Sequence, residues 1–301
     1  MVVIGILANK ADIPICVVRS HNETVERRVM AKIIAICNQK GGCGKSTLTE
    51  NLGAALAGCG AKVLLVDLDP SGNLSIALGL PKNCRNTIES LMRSVILEDT
   101  LEFEETVVHH EEGMDVLPAN RLLTGMELQL QTLEDSKTVL RDVLSAIQSR
   151  YEFILIDCMP SLGMLTLNAL TASDEVLIPV QPQCLSVEGL QELMGTIAKV
   201  RKTSNRSLKI GGIVFSLDSN VRSNERRIKE DVRAAYGKYV RIFDQTIPNL
   251  SSIAQSQNTG YSVLKNEPSG RAAGIYRSMA EIIYKEEMEH EEPVICQTPI
   301  L

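Results

Sequence analysis

An apolar run, a glycine-rich loop and a helical pattern follow one another near the start of the chain, and this order constrains the fold most. "KIIAIC" (32–37) has the character of a buried strand, and the segment from Ser46 to about Cys59 has the periodicity of an amphipathic helix. The glycines between them, in "NQKGGCGKST" (38–47), let backbone N–H groups approach an anion without interference from a Cβ atom. This arrangement predicts a phosphate-binding unit within an α/β domain.

Runs of Val, Ile and Leu recur along the chain, separated by segments with helical periodicity. Continuous apolar strands of this kind occur in parallel sheets that are covered on both faces. We therefore predict an α/β fold of the P-loop NTPase type, with a doubly wound, mostly parallel sheet, helices on both faces and ligands at the carboxyl ends of the strands. The further predicted strands are 62–67, 153–157, 175–180 and 209–217, and the further helices are 134–149, 163–172, 186–202 and 223–236.

Composition narrows the class of protein. Aromatic residues make up 3% of the 301 residues, which argues against the stacking platforms of single-stranded nucleic-acid binders. A net charge of −6 argues against a uniformly basic DNA-coating protein but permits a local basic patch. Eight cysteines without a C-x-x-C pair argue against a zinc knuckle, a redox motif or a disulfide framework. With no signal peptide and no membrane-spanning run, we expect a cytoplasmic protein without membrane contact.

The glycine-rich loop departs from the usual phosphate-binding pattern. Lys45 supplies a cation for the terminal phosphates of a nucleotide, and the Ser46 hydroxyl is suited to Mg²⁺. The pattern G-x-x-x-x-G-K-[ST] requires a glycine five residues before Gly44, where this chain has Gln39. A second lysine, Lys40, follows it. The loop therefore contains one more cation than phosphate binding in a single subunit requires.

Aspartates end two of the predicted strands. "LLVDLDPSGN" places Asp67 and Asp69 two residues apart, so we expect both to leave the sheet on the same side. "FILIDCMPS" contains Asp157, in the layout of a carboxylate that holds Mg²⁺ through water. Aspartates also end strands because they favour turns, but the neighbouring phosphate loop favours metal binding. We predict Ser46, Asp67 and Asp157 as the magnesium-binding residues.

The loop resembles the deviant Walker A motif, K-G-G-x-G-K-[ST], of the ParA/MinD class of ATPases. The likeness runs from about Met30 to Tyr284, through "VDLDPSGN", "FILIDCMPSLGMLTLNAL", "IPVQPQCLSVEGL" and "PSGRAAGIYRSMAEI". Within the class the chain is most similar to short, Soj-like ParA partition proteins. The resemblance implies ATP and Mg²⁺ as cofactors and a homodimer that forms with ATP.

The same resemblance implies roles for individual residues. Lys40 would reach across the dimer interface to the partner's ATP, where it offsets the charge of two facing nucleotides and makes dimerisation depend on nucleotide state. Asp69 would orient or deprotonate the attacking water, Asp67 would support Mg²⁺ indirectly, and residues 69–73 would form a switch. The implied catalytic residues are Lys40, Lys45 and Asp69, and the implied nucleotide-binding residues are Lys40, Gly41, Gly42, Cys43, Gly44, Lys45, Ser46, Thr47 and Pro248.

The function implied is that of an ATPase with weak basal turnover that dimerises with ATP, binds double-stranded DNA non-specifically, and positions or segregates a plasmid, chromosome region or mobile element. A ParB-like centromere-binding protein would be its partner, and the ATP-bound form would associate with the nucleoid. A positioning or scaffold ATPase that acts on a protein array without DNA is an alternative. A MinD-like membrane switch is another, which the acidic C-terminal tail disfavours because it repels anionic lipid.

A basic stripe bears on the choice between DNA and a protein array. The helix predicted at 223–236 carries cations at intervals of four, three and four, so they share one side. The stripe is either a DNA-contact face or an ordinary solvated face, diluted by Glu225 and Glu230. The candidate DNA-binding residues are Arg222, Arg226, Lys229 and Arg233.

Three segments are expected along the chain: an N-terminal extension of uncertain status at 1–29, irregular in structure, an ATPase domain at 30–285, and an acidic, frayed tail at 286–301.

One loop residue raises a separate question. Cys43 lies near a helix N-terminus and two lysines, which would lower the pKa of its thiol. Alternatively, the position simply accepts a small side chain.

Overall fold

A computed structural model describes residues 4–8, 14–20, 23–28, 30–183, 185–219, 223–290 and 294–295. The strands are β1 (Ile4–Ala8), β2 (Pro14–Ser20), β3 (Glu23–Arg28), β4 (Lys32–Ile36), β5 (Val63–Leu68), β6 (Val108–His110), β7 (Met114–Leu117), β8 (Phe153–Cys158), β9 (Glu175–Val180), β10 (Lys209–Phe215) and β11 (Val294–Ile295). The helices are α1 (Lys45–Gly58), α2 (Asn73–Ala77), α3 (Ile88–Ile96), α4 (Phe103–Thr106), α5 (Leu123–Leu130), α6 (Val139–Ile147), α7 (Met164–Ala172), α8 (Leu185–Thr203), α9 (Ser223–Tyr236), α10 (Ser251–Ser256), α11 (Val263–Asn266) and α12 (Arg271–His290).

Seven strands form the main sheet, in the order β10-β9-β4-β8-β5-β7-β6. Every neighbouring pair is parallel except β6 and β7, which form an antiparallel edge. The predicted α/β fold with a mostly parallel sheet is therefore confirmed, and all five predicted strands belong to this sheet. Strands β6 and β7 were not predicted because runs of three and four residues are too short for a periodic pattern.

The two faces of the sheet pack against two separate layers of helices. Ile33 and Ala35 of β4 belong to an apolar cluster that includes residues of α3, α5, α6, α7 and α8. Ile34 and Ile36 of the same strand belong to a second cluster that includes residues of α1 and α12. Because successive side chains of a strand point to opposite faces, this division shows that both faces are buried. The doubly wound arrangement is confirmed.

The central parallel strands bring three functional segments to one edge of the sheet. Ile36, the last residue of β4, lies opposite Asp157 of β8, and Asp67 of β5 lies opposite the same aspartate. The glycine-rich loop leaves β4 at this edge and enters α1. The carboxyl ends of the strands therefore gather the loop and both predicted metal-binding aspartates, as expected for a sheet of this type.

The two ends of the chain are more ordered than the sequence predicts. Residues 1–29 contain β1, β2 and β3, which form an antiparallel sheet with β11 in the order β1-β2-β3-β11. The prediction of an irregular extension is wrong for these strands; β2 in particular is rich in Val and Ile, which favour strands.

At the other end, α12 continues through residue 290 instead of ending before an acidic tail. Glu286 forms an ion pair with Arg241, and Glu287 lies 3.4 Å from Lys32 Nζ. The prediction of a frayed tail is therefore wrong for residues 286–290, because its first acidic residues face basic partners, and residues 291–293 and 296–301 of the tail lie outside the described residues. Within the described part of the chain, no helix is long and apolar enough to cross a membrane.

Candidate functional site

The loop between β4 and α1 has the backbone conformation of an anion-binding turn. Gly42 and Gly44 have φ angles of 68° and 86°, in the left-handed region that favours glycine. Gly44 also precedes the first turn of α1, where backbone N–H groups have no partner within the helix and the helix dipole favours an anion. The loop therefore has the backbone conformation that an anion site requires, and phosphate binding by its residues stays a prediction.

The two loop lysines have different surroundings. Lys45 is 7% exposed, and its Nζ lies 3.4 Å from the carbonyl oxygen of Lys40, so the ammonium lies back across the loop. The Nζ of Lys40 donates instead to Oε1 of Gln183, which follows β9, at 2.8 Å. The Lys45 ammonium therefore lies within the loop, whereas the Lys40 ammonium lies at the protein surface.

Asp157 is a buried carboxylate near the Lys45 ammonium. It is 1% exposed, and both of its side-chain oxygens are buried without a hydrogen-bond partner among the residues that the structure describes. Burial raises the pKa of Asp157 well above its usual range, and the charge of Asp67 raises it further, whereas the Lys45 ammonium lowers it. A divalent cation would supply the partner that this carboxylate lacks.

Asp67 and Asp69 differ more than their spacing suggests. Asp67 is fully buried; its Oδ2 accepts hydrogen bonds from N and Oγ of Ser75 at 2.8 and 2.7 Å, and its Oδ1 accepts one from Asp69 N at 3.2 Å. Burial raises the pKa of Asp67 to about 6. Asp69 is partly exposed, and its Oδ1 accepts hydrogen bonds from N and Oγ of Ser71 at 2.8 and 2.6 Å. Asp67 is therefore anchored by Ser75, while only Asp69 reaches the cavity described next.

A cavity of about 450 Å³ lies over the loop, within the size range of small-molecule sites. Gln257 on its wall donates from Nε2 to Oγ1 of Thr47 at 2.8 Å. Pro248, predicted to bind nucleotide, is buried, does not line the cavity and bridges to Asp218. Besides the loop residues Gly41, Gly42, Gly44, Lys45, Ser46 and Thr47 and the predicted Asp69, the lining includes Asn73 of the predicted switch and Pro160 of the motif that follows Asp157. It also comprises Ile76, Ala77, Leu217, Gln257 and Asn258, which no sequence motif indicated.

A carboxylate from another helix fixes one wall of this cavity. Glu127 of α5 accepts hydrogen bonds from the backbone N–H groups of Met164 and Leu165, both at 2.7 Å, in the first turn of α7. A Cβ atom at Gly163 would lie 2.1 Å from Glu127 Oε1, so only glycine permits this approach. The loop between β8 and α7, which includes the cavity residue Pro160, is thereby held at its far end. No local pattern around Glu127 indicated this contact.

Cys43 does not have an activated thiol. It is fully buried in the structure, and this burial raises the pKa of the thiol although the Lys45 charge lowers it. The hypothesis of a lowered pKa is wrong, because desolvation outweighs the neighbouring cation. The Cys43 carbonyl oxygen, not its thiol, makes a defined contact: it accepts a hydrogen bond from Ser216 Oγ at 2.6 Å.

The basic stripe on α9 is smaller than its sequence spacing predicts. Arg226 and Arg233 are exposed, with the Arg233 guanidinium 5.3 Å from the centre of the Phe215 ring, whereas Arg222 lies outside the described residues. Lys229 is 8% exposed, and its Nζ lies 2.5 Å from Oδ2 of Asp218. Lys229 therefore does not lie on an exposed stripe as its spacing predicts, because its ammonium faces a buried carboxylate, and DNA contact by the candidate residues stays a prediction.

Comparisons with known proteins decide the family. A family model described as an AAA domain matches residues 31–210. The chain is 36% identical over 262 residues to the chromosome partitioning protein ParA of Caulobacter vibrioides, covering 86% of this chain and 96% of the relative. The chain belongs to the ParA/MinD class of ATPases. Within this class it is also 37% identical over 254 residues to the sporulation initiation inhibitor protein Soj of Bacillus subtilis, covering 84% of this chain and 98% of Soj.

Solved structures of ParA/MinD-like proteins share the fold. A Mycobacterium smegmatis protein titled cobyrinic acid a,c-diamide synthase, crystallised with ADP and magnesium, has a TM-score of 0.74 and 30% identity, covering 88% of this chain and 98% of that one. The cell division ATPase MinD of Pyrococcus furiosus has a TM-score of 0.67 and 26% identity, covering 85% of this chain and all of that one (100%). The P-loop NTPase architecture is therefore shared with nucleotide-bound structures.

Proposed function

We propose that this chain is an ATPase that hydrolyses ATP to ADP and phosphate with weak basal turnover, dimerises with ATP, and positions or segregates a plasmid, chromosome region or mobile element by binding double-stranded DNA non-specifically. The observation that carries the nucleotide part is Asp157, a buried carboxylate without a hydrogen-bond partner among the described residues, beside a loop that contains Lys45. The name of the relative from Caulobacter vibrioides, chromosome partitioning protein ParA, supports the partition role.

The residues of the site fit ATP and Mg²⁺. The N–H groups of the loop and the Lys45 ammonium would bind the phosphates, and Ser46 and Asp157 would hold Mg²⁺, which when bound supplies positive charge against the phosphates. Asp67, anchored by Ser75, would support the metal through water. Asp69 would orient the attacking water, because Ser71 fixes the direction of its carboxylate at the cavity wall.

The different surroundings of the two lysines support different roles in the proposed reaction. Lys45→Ala should abolish ATP binding, since its ammonium would contact phosphate within its own subunit. Lys40→Ala should leave ATP binding measurable but remove ATP-dependent dimerisation and hydrolysis, since the partly exposed Lys40 would reach the partner's ATP. Nucleotide titration and light scattering test this, with the exposed Lys82→Ala as control. Equal loss of ATP affinity in both loop variants would contradict this division of roles.

Arg226 and Arg233 remain candidates for DNA contact. Arg222, which lies outside the described residues, is a third candidate. A few phosphate contacts give weak non-specific binding, and a dimer that places two such faces on one side would strengthen it, so ATP would control DNA affinity. A ParB-like protein would be the partner that stimulates hydrolysis, and the protein would be cytoplasmic and nucleoid-associated when bound to ATP.

DNA co-sedimentation with ATP, with ADP and without nucleotide tests this proposal. Charge reversal of Arg226 and Arg233 to Glu should weaken ATP-dependent binding to every DNA sequence and flatten its salt dependence. Reversal of the exposed Lys82 and Arg85, elsewhere on the surface, changes the net charge equally and should leave binding intact. An unchanged salt slope in the Arg226/Arg233 variant would mean that α9 is an ordinary solvated face.

A positioning ATPase that acts on a protein array is the second candidate, because the burial of Lys229 leaves fewer cations on α9 than its spacing suggests. Absence of DNA binding at low salt with ATP would favour it. The MinD-like membrane switch has less support, because the last turns of α12 carry Glu286, Glu287 and Glu289.

A further inference from the structure

Two cysteines lie side by side next to the nucleotide site. The Sγ atoms of Cys37 and Cys158 are 2.7 Å apart, although the residues are separated by 121 positions in the chain. Each residue is 1% exposed. The distance exceeds a disulfide bond of about 2.05 Å by less than 1 Å. A small movement of the side chains would therefore bring the sulfurs to bonding distance.

The backbone around the pair is also compatible with a bridge. Strands β4 and β8 are parallel neighbours in which Ile36 lies opposite Asp157, and each cysteine is the next residue along the chain: Cys37 follows β4, and Cys158 ends β8. Neighbouring strands are about 4.8 Å apart, which lies within the range of about 4.4–6.8 Å for the Cα atoms of disulfides. Both side chains belong to the same apolar cluster and thus to the same face of the sheet. A bridge requires no change in strand register.

The location of the pair gives such a bridge a consequence. Cys37 directly precedes the glycine-rich loop, and Cys158 directly follows Asp157. A bridge between them would join the start of the phosphate loop to the strand that carries the metal-binding carboxylate.

We propose that Cys37 and Cys158 are a modification site that forms a reversible disulfide. The two thiols lose two protons and two electrons as one S–S bond forms. Glutathione disulfide takes up these protons and electrons and is reduced to two glutathione thiols. The bridge reduces the conformational entropy of the unfolded chain and thereby stabilises the nucleotide site against unfolding under oxidising conditions. The absence of a C-x-x-C motif is no obstacle, because the sheet, not the sequence spacing, brings the thiols together. This proposal does not depend on hydrolysis or DNA binding.

The test oxidises the folded full-length chain with glutathione disulfide and maps the links without reduction. Cleavage by trypsin and a glutamate-specific protease releases Cys37 in peptide 33–40 and Cys158 in peptide 153–175, each with a single cysteine. We expect the linked pair of peptides to dominate in the folded protein and to disappear with dithiothreitol. Oxidation in urea should instead distribute links among all the cysteines.

Stability measurements supply the second arm. The bridged protein should have a higher unfolding midpoint than the reduced protein, and Cys37→Ala should abolish both the link and this gain. Nucleotide affinity should stay within about threefold, because the sulfurs move little. Among the cysteines whose burial the structure describes, Cys59 and Cys84 are partly exposed, and a Cys59→Ser/Cys84→Ser background removes both as competitors and should keep the bridge. The proposal is overturned if Cys37 and Cys158 stay reduced while Cys59 and Cys84 are fully modified, or if the bridge forms without raising the midpoint.

Discussion

Replacing Lys229 by alanine should destabilise the protein far more than replacing Arg226 on the same helix. The side chains of Lys229 and Asp218 are 9% and 0% exposed, with 2.5 Å between Nζ and Oδ2. Removal of the ammonium leaves a buried carboxylate without the cation that faces it, and truncation of one member of a buried pair costs about 3–5 kcal/mol. Arg226 is exposed, so its truncation should cost about 0.5 kcal/mol or less.

Urea denaturation followed by circular dichroism measures this difference. With a slope of about 3 kcal/mol per molar urea, the loss for Lys229→Ala corresponds to a decrease in the unfolding midpoint of roughly 1–1.7 M. Replacing both partners, as in Lys229→Met/Asp218→Leu, should recover most of the loss, because no uncompensated charge then remains buried. Arg226→Ala serves as the matched control for removal of one cation from α9.

The reasoning is refuted if Lys229→Ala and Arg226→Ala lower the midpoint equally, by less than about 0.2 M. In that case the ion pair contributes no stability, and Lys229 returns to the candidates for DNA contact. If the large difference is observed, any loss of DNA binding in a Lys229 variant must be attributed first to unfolding.

Three further changes test other parts of the structure. Glu50→Gln should raise the free energy of unfolding relative to the parent, increasingly as the pH rises above about 4.5. Burial raises the pKa of Glu50 well above this unfolded value, so the parent loses stability once the unfolded chain releases the proton that the folded chain keeps. Equal pH slopes for both proteins would contradict this reasoning. Glu127→Ala and Gly163→Ala should each lower the free energy of unfolding by about 1–3 kcal/mol in urea denaturation, since both remove the same two hydrogen bonds at α7. Additive losses in the double variant would show that the two residues act separately. Asp69→Ala should accumulate an ATP-bound dimer in light scattering with little phosphate release, whereas parental turnover would exclude its role with water.

Much of the fold and of the phosphate site follows from local sequence. The five predicted strands of the main sheet are runs of Val, Ile and Leu, and the loop glycines Gly42 and Gly44 adopt the left-handed backbone that other residues avoid. Strands that run parallel end at the same edge, so a sequence that places Asp67 and Asp157 at strand ends also places them near Lys45. The family resemblance rests on these same local motifs.

Only the tertiary structure decided which side chains face one another. The spacing of α9 put Lys229 on a basic stripe, but the fold places a buried carboxylate, Asp218, beside it. In the same way, Glu127 meets the start of α7, and Cys37 meets Cys158, through contacts between segments far apart in the chain. Periodicity reports which side of its own element a residue occupies, whereas burial, charge pairing and thiol contact depend on what another element brings to that side.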